Sequence, residues 1–300
     1  MTNISTQKVD LEGDDCHSAV TQLLLDARGE DPMAGLWEAS DLQWWWATDD
    51  GQSVRRDTFW LDDKGQPDAC LLTGQNGAMT YTEFLWRPSL PPESRDRIVK
   101  EVVGRLVEYR NMPGKQVWIT VDERDTTLLQ LLESQNFKHD PADDIVQMWL
   151  RPSEQVISAI LPDGMTFDDA RAIDPEKPHH LVKRNGDGIA EKLAQQSLYR
   201  PDLDLCIRAA TGDVAAYCLC WMDSINKVGL FEPVRTEDAY QKRGLGRAMM
   251  VEGIRRLTEH GASLIKVSRD RKNIASGRLY KSVGFIDATA KLRFIGKSPD

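Results

Sequence analysis

A similar phrase occurs twice in this sequence, at positions half the chain apart. The two segments read "LQLLESQNFKHD" at 129–140 and "GRLYKSVGFIDA" at 277–288, in a chain of 300 residues. Each segment contains the end of a stretch whose apolar spacing predicts a helix, and an apolar run typical of a strand follows it. Since 300 residues suit two domains of about 150 residues, the repeat predicts a tandem duplication, with one domain at 1–151 and the other at 152–300.

Apolar periodicity predicts a similar order of elements in both copies, with strands first and then a helix, a strand, a helix and a strand. The second copy is expected to hold a helix at 178–197, strands at 203–210, 214–222 and 228–234, a helix at 244–259, a strand at 264–267, a helix at 273–282 and a strand at 291–295. The first copy is expected to hold strands at 57–63, 67–74 and 79–86, a helix at 93–109, a strand at 116–121, a helix at 126–134 and a strand at 145–150. Each copy is therefore expected to be an α/β domain with a mixed, mostly antiparallel sheet flanked by helices. The segment "RPSEQVISAILPDG" at 151–164 is the predicted linker.

Charge and composition narrow the classes of partner. Residues 1–150 hold 14 Lys and Arg against 27 Asp and Glu, whereas residues 151–300 hold 24 against 20. The acidic total disfavours nucleic acid as the main partner. No apolar run approaches the length of a membrane span, and the N-terminus lacks a signal peptide pattern, so we expect a cytoplasmic protein without a membrane anchor. The five cysteines form no CxxC pair, and His179 and His180 have no second cluster at ligand spacing, so no metal site is expected.

The segment "FEPVRTEDAYQKRGLGRAMM" at 231–250 places a glycine-rich loop between a strand and a helix. Glycines let backbone N–H groups converge, and a helix N-terminus adds the positive end of its dipole, so the loop is suited to a pyrophosphate. The alternative is a helix start that needs glycine only for a tight turn. The residues after Gly246 fit neither a Walker-type loop nor a dinucleotide fingerprint, because Arg247 and Met249 stand where those motifs need Lys and Gly.

The loop resembles the phosphate loop of the GNAT superfamily of acetyltransferases, which reads Arg/Gln-x-x-Gly-x-Gly/Ala. Gln241, Gly244 and Gly246 match that pattern. The segment "NIASGRLYKSVGF" at 273–285 is similar to a second motif of the family, Asn-x-x-Ala-x-x-x-Tyr followed by a Gly-Phe turn, with Ser276 where Ala is usual. The resemblance covers most of 165–295 and implies two tandem GNAT-like domains.

The resemblance also implies a binding mode for acetyl-CoA. Its pyrophosphate would lie on the backbone N–H groups of the loop, its pantetheine arm would pair with the preceding strand, and the thioester carbonyl would accept an N–H there. Because Pro233 has no N–H, that donor is assigned to Val234 or its neighbours. The residues expected to bind acetyl-CoA are Val234, Arg235, Thr236, Gln241, Lys242, Arg243, Gly244, Leu245, Gly246, Arg247, Asn273 and Ser276. For Asn273 the alternative is a helix N-cap.

Two residues are candidates for proton transfer during attack of an amine on the thioester. Glu232 is the candidate base, although many family members carry the acidic residue two positions earlier, where this chain has Leu230. The alternative for Glu232 is binding of a substrate cation or pairing with an arginine. Tyr280 is the candidate acid, and its alternative is packing on the pantetheine arm.

The first copy lacks the cofactor motifs. Its matching loop, "FLWRPSLPPESRDRIVKEVV" at 84–103, has three prolines and no G-x-G, although Arg95 and Arg97 could still hold an anion. Asp125 and Leu132 stand where the second copy has Asn273 and Tyr280, so the first copy is expected to be a degenerate domain.

Three consecutive tryptophans in "SDLQWWWATDD" at 40–50 stand beside acidic residues and could receive a cationic amine, with Trp44 and Trp46 on one side of a strand. The alternative is core or interdomain packing.

The sequence as a whole predicts an acetyl-CoA-dependent N-acetyltransferase that acts on a small amine by direct transfer. The alternative is a non-catalytic sensor that binds acyl-CoA and signals to a partner.

Overall fold

The structure, a computed structural model, describes residues 7–35, 37–48, 54–55, 57–153, 158–172 and 178–298. Residues 154–157 of the predicted linker, and Asp49 and Asp50 beside the tryptophan run, lie outside the described residues. The helices of the described part are α1 (Gly13–Glu30), α2 (Ala39–Thr48), α3 (Pro92–Arg110), α4 (Thr126–Ser134), α5 (Val182–Asn185), α6 (Ile189–Ala194), α7 (Leu245–Glu259) and α8 (Ile274–Ser282). The strands are β1 (Gln7–Leu11), β2 (Val54–Arg55), β3 (Asp57–Leu61), β4 (Pro67–Asn76), β5 (Met79–Trp86), β6 (Gln116–Asp122), β7 (Lys138–His139), β8 (Ile145–Leu150), β9 (Met165–Asp169), β10 (Asp204–Ala209), β11 (Val214–Asp223), β12 (Val228–Thr236), β13 (Leu264–Asp270) and β14 (Ile286–Lys297).

Two predicted elements differ from the structure. The tryptophan run forms helix α2, so the expected strand alternation of Trp44 and Trp46 is wrong. The helix expected at 178–197 is two short helices, because Gly186 and Gly188 adopt positive φ angles of 79° and 82° between α5 and α6. Only glycine adopts such angles without strain, so the helical period is interrupted there.

The chain divides into two compact units that are not its two halves. Unit 1 comprises Met1–Ala39, Asp49–Val146 and Thr289–Asp300, and unit 2 comprises Ser40–Thr48 and Gln147–Ala288. Most of the last strand, β14, therefore belongs to unit 1, although its position in the sequence assigns it to the second copy. The domain boundary at 151/152 stays a prediction about the repeat.

Unit 1 contains the strand order β1-β3-β4-β5-β6-β14. Strands β5 and β6 are parallel, whereas β14 pairs antiparallel with β6 from Lys291↔Asp122 to Lys297↔Gln116. Helix α3 carries apolar residues at helical spacing, and they pack with Phe137 and Phe294 in one buried cluster. The buried positions of α3 are Ile98, Val99, Val102, Val103 and Leu106.

Unit 2 contains the strand order β8-β13-β12-β11-β10-β9, in which β12 and β13 are parallel. Leu181 before α5, Ile189 and Leu193 of α6, and Trp44 of α2 pack in one cluster with Trp221 of β11. Helix α7 approaches the sheet so closely at Gly253 that a Cβ atom there would lie 2.4 Å from the ring of Phe231. No helix in the described part of the chain is long and apolar enough to cross a membrane.

Candidate active site

Strand β12 carries a bulge at Glu232 and Pro233. Phe231 pairs with Cys220 of β11 and Val234 pairs with Cys218, so two residues of β12 stand opposite one residue, Leu219. The peptide bond between Glu232 and Pro233 is cis. The indole Nε1 of Trp221 donates a hydrogen bond of 2.7 Å to the Glu232 carbonyl oxygen, which fixes the bulge to β11.

Beyond the bulge, β12 separates from β13. The parallel pairing runs from Val228↔Leu264 to Phe231↔Val267 and ends there. The three residues predicted to hold the thioester, Val234, Arg235 and Thr236, pair with β11 on one side. Among the described residues no strand pairs with their other side, and such an open edge presents main-chain groups to an extended ligand.

The glycine loop connects this open edge to α7. Gly244 is the N-cap of α7 with φ 81° and has no side-chain cap, and Lys242 also has a positive φ of 61°. A Cβ atom on Gly246 would lie 3.1 Å from Leu279 and 3.4 Å from Oγ1 of Thr236, so glycine lets the helix start close to the strand. The first turn of α7 leaves its N–H groups without acceptors in the helix.

The side chains around this loop set its charge. Lys242, Arg243 and Arg247 are exposed, and together with the helix dipole they make the loop attractive to anions. The amide of Gln241 donates to Asp238 Oδ1 at 3.1 Å and so stabilises the loop from the side. The guanidinium of Arg243 lies 5.3 Å from the ring centre of Tyr240.

Helix α8 positions the second set of predicted residues. Asn273 caps the helix, because its side chain accepts a hydrogen bond of 3.0 Å from the Ser276 N–H. Asn273 is therefore a helix N-cap, which is the alternative role that the sequence suggested for it. Tyr280 lies in the buried face of α8, and its ring packs against Phe285 with the ring centres 6.2 Å apart.

Electrostatics connect the two candidate catalytic residues. Burial raises the pKa of Tyr280 above its ordinary value, and the charge of Glu232 raises that pKa further, whereas the charge of Arg269 lowers it. Tyr280 is therefore protonated at neutral pH and able to donate a proton. The influence of Glu232 on Tyr280 means that the two predicted residues share one electrostatic environment. Leu230, by contrast, is an apolar residue of the core cluster that contains Trp221.

The tryptophans of α2 lie in the interior of unit 2. Trp44 and Trp46 are each 8% exposed, and Trp44 packs with Leu181, Tyr217 and Trp221. The structure therefore agrees with the interpretation of Trp44 as a core-packing residue. A role of Trp44 and Trp46 in holding an acceptor stays a prediction.

A buried polar cluster lies beneath the residues that precede α5, and the sequence did not reveal it. The carboxylate of Asp204 accepts a hydrogen bond of 2.8 Å from the Tyr199 hydroxyl and forms a second one, of 2.6 Å, with His180 Nε2. His179 Nε2 lies 3.1 Å from the same carboxylate. Burial raises the pKa of Asp204, but the two histidines together outweigh it and hold that pKa at about 2. Adjacent histidines drew attention in the sequence, but nothing there indicated a partner 24 residues later.

In this cluster, the side-chain atoms of His179, His180 and Asp204 that could bind a metal ion lie within 4.8 Å of one another. The positions of these residues in the sequence did not indicate such a cluster. A metal-bound histidine usually donates from its second ring nitrogen. His179 Nδ1 instead accepts a hydrogen bond of 3.2 Å from the Leu181 N–H. This arrangement favours a hydrogen-bonded network centred on Asp204.

Unit 1 has a counterpart of the open edge. Pairing of β5 with β6 ends at Glu83↔Thr120, and a cavity of about 410 Å³ lies beside Trp86, Arg95 and Asp125. Arg95 donates to the Asp125 carboxylate at 2.6 Å, and its guanidinium lies 4.7 Å from the ring centre of Trp86. Arg95, one of the two arginines considered as anion ligands, is therefore neutralised inside its own unit.

Comparison with known proteins agrees with this geometry. Residues 167–285 match the acetyltransferase (GNAT) family. This segment is a GNAT acetyltransferase domain. It contains the bulge, the glycine loop and Tyr280, and it supports the predicted acyltransferase activity.

Solved structures of similar fold extend over both units. A tandem GNAT protein from the clavulanic acid biosynthesis pathway is 12% identical, with a TM-score of 0.68, and 99% of each chain is covered. A GCN5-related N-acetyltransferase from Sphaerobacter thermophilus is 16% identical, with a TM-score of 0.57 and coverage of 98% of this chain and 97% of that one. No curated protein matches the sequence. At these identities the likeness concerns the fold, and it confirms the predicted two GNAT-like α/β domains.

Proposed function

We propose that the protein transfers the acetyl group of acetyl-CoA directly to a small amine, with unit 2 as the catalytic unit. The observation that carries the proposal is the open edge of β12. It begins at the Glu232–Pro233 bulge and leads, through the exposed glycine loop, to the N-terminus of α7. A bulge, a main-chain edge and an anion cradle in succession suit a long ligand with an amide-rich arm and a pyrophosphate.

The residues around the edge fit the parts of acetyl-CoA. The N–H groups of the loop from Gln241 to Gly246, with Lys242, Arg243 and Arg247, would hold the pyrophosphate. The main chain of Val234–Thr236 would hold the pantetheine arm and the thioester oxygen, and Ser276 and Asn273 would flank that arm. Acetyl-CoA, when bound, supplies the activated acyl group.

Glu232 and Tyr280 would divide the proton transfers between them. An alkyl amine with a pKa near about 10 is mostly protonated at neutral pH and must lose a proton before it attacks. Glu232 takes that proton at the bulge, directly or through water. Tyr280 keeps its own proton because burial raises its pKa, and it gives that proton to the departing sulfur.

The cysteines nearby favour direct transfer over an acyl-cysteine route. Cys218, which pairs with Val234, is fully buried, and this burial raises the pKa of its thiol well above 9.0. Burial likewise raises the pKa of Cys206 to about 12. Nucleophilic attack needs the thiolate, so these two side chains stay unreactive thiols at neutral pH.

Calorimetric titration with acetyl-CoA tests the binding part of the proposal. The wild-type protein is expected to bind one equivalent, and Gly244→Glu is expected to abolish binding, because it places a carboxylate and a strained backbone in the cradle. Gly65→Glu is the matched control, since Gly65 also has a positive φ of 76° with open space around it, but it lies in unit 1.

Release of free CoA in the presence of a panel of primary amines tests the catalytic part. Turnover that depends on the amine supports the proposal. One-site binding without turnover of any amine would favour the acyl-CoA sensor instead. Two equivalents bound per chain would contradict the degenerate status of unit 1.

A further inference from the structure

Arg269 occupies a place in unit 2 that neither motif of the sequence includes. It follows the last paired residue of β13, Val267, by two positions, where β13 has separated from β12. Its side chain is only 11% exposed. A mostly buried guanidinium beside an open strand edge carries a full charge into a place where solvent screens it weakly.

The missing side chain of Gly277 makes room for Arg269 against α8. A Cβ atom on Gly277 would lie 2.9 Å from Nε of Arg269 and 3.0 Å from Cζ. Main-chain carbonyls hold the outer end of the side chain, because one terminal nitrogen donates to the oxygens of Asp270 at 3.2 Å and Arg271 at 3.1 Å. The guanidinium is therefore fixed over the helix rather than free in solvent.

This contact brings Arg269 within electrostatic range of Tyr280. Gly277 and Tyr280 are one turn apart on the same buried face of α8, so a group that covers Gly277 is a neighbour of Tyr280. The Nε atom of Arg269 is buried and has no hydrogen-bond partner among the described residues. Arg269 forms a long ion pair with Asp287, whose Oδ1 lies 3.8 Å from the terminal nitrogen Nη2 of the guanidinium. The side chain of Asp287 is 45% exposed. The charge of Arg269 is thus only partly neutralised.

We propose that Arg269 is a positioning residue that strengthens Tyr280 as the acid of the reaction, an inference that rests on the proposed acetyl transfer. In that reaction the neutral amine nitrogen bonds to the acetyl carbon, the carbon–sulfur bond breaks, and the nitrogen loses one further proton to solvent to give the neutral amide. The sulfur leaves with the bonding electron pair and takes the proton of the Tyr280 hydroxyl. The guanidinium stabilises the negative charge on the Tyr280 oxygen until that oxygen takes up a proton from solvent. The lowering of the Tyr280 pKa by Arg269 acts in the same direction.

Steady-state kinetics of Arg269→Gln, Tyr280→Phe and the double variant test this inference. Arg269→Gln is expected to lower kcat about tenfold, and the dissociation constant of acetyl-CoA by calorimetry is expected to stay within about twofold of wild type. Arg269→Lys keeps the charge and is expected to recover part of kcat. Arg278→Gln removes the same charge from an exposed position on α8 and is expected to leave kcat unchanged.

The double variant separates a role through Tyr280 from a structural one. If Arg269 acts through Tyr280, Arg269→Gln has little further effect on kcat once Tyr280 is Phe. Equal losses in both backgrounds would overturn the inference, and so would an unchanged kcat in Arg269→Gln. If Arg269→Gln does not fold, the comparison is made with Arg269→Lys, and a kcat of Arg269→Lys no higher than that of Tyr280→Phe would overturn the inference. No turnover by the wild-type protein would refute the proposed function itself.

Discussion

Replacing Gly253 with alanine tests whether the contact between α7 and the sheet is as close as the structure has it. The added methyl carbon would lie 2.4 Å and 2.7 Å from two ring carbons of Phe231 and 2.9 Å from Sγ of Cys220. Carbon atoms in contact prefer about 3.5–4.0 Å, so the ring must move by about 1 Å. Phe231 is fully buried and meets Phe285 edge-on, with the ring centres 6.2 Å apart, so a shift of its ring disturbs the packing around it.

The net effect follows from two opposing contributions. Alanine is better than glycine in a helix interior by about 1 kcal/mol, whereas overpacking a filled core costs about 1–3 kcal/mol. With a fully buried aromatic ring as the obstacle we take the upper end, and expect Gly253→Ala to lower the free energy of unfolding by about 2 kcal/mol. Because Glu232 follows Phe231 directly, kcat is expected to fall as well.

Gly104→Ala is the matched control for this experiment. Gly104 lies in the interior of α3, is exposed, and has nothing within 4 Å of the position of a Cβ atom. It is expected to gain about 0.5–1 kcal/mol from helix propensity. Urea unfolding followed by circular dichroism measures both variants. A Gly253→Ala protein as stable as Gly104→Ala would refute the packing of α7 on β12 described above.

Three further predictions concern other parts of the molecule. The pKa of Asp204 is about 2 in the folded protein against 3.8 as its ordinary value, so its contribution of roughly 2 kcal/mol is present above about pH 4 and is lost as the pH falls towards 2. Urea midpoints should fall over that range in the wild type, and by less in Asp204→Asn, which is also expected to be less stable at pH 7. Phe294→Ala should destabilise unit 1 by about 3–5 kcal/mol, and hydrogen exchange should show the loss in β6 before β10–β12; uniform loss would contradict the assignment of β14 to unit 1. Glu232→Gln should lower kcat about a hundredfold at neutral pH with little change in acetyl-CoA affinity, and an unchanged kcat would return Glu232 to a binding role.

Local signals predicted the elements that surround the candidate site. Helix α4 has the predicted bounds of 126–134, because Asp125 is an N-cap that accepts from the Leu128 N–H. Helix α7 begins at Leu245, directly after the glycine that the sequence indicated. In both cases the information lies within a few residues of the boundary, in the cap and the apolar period.

Long-range pairing could not be predicted in the same way. The pattern at 291–295 indicated a strand, but its partner β6 lies some 170 residues earlier, and periodicity does not name partners. Three adjacent tryptophans have no period that separates a strand from a helix, and burial inside unit 2 decided in favour of α2. The contact of Arg269 with Gly277 likewise joins two elements and depends on the fold.

The position of β14 has a consequence for how the protein is made in the cell. Residues 291–297 pair with β6 inside unit 1, yet the ribosome synthesises them after residues 147–288 of unit 2. The pairing of β6 with β14 therefore cannot form until the chain of unit 2 has been synthesised. During that time the edge of β6 that pairs with β14 in the folded protein lacks this partner, although most of unit 1 has already been made.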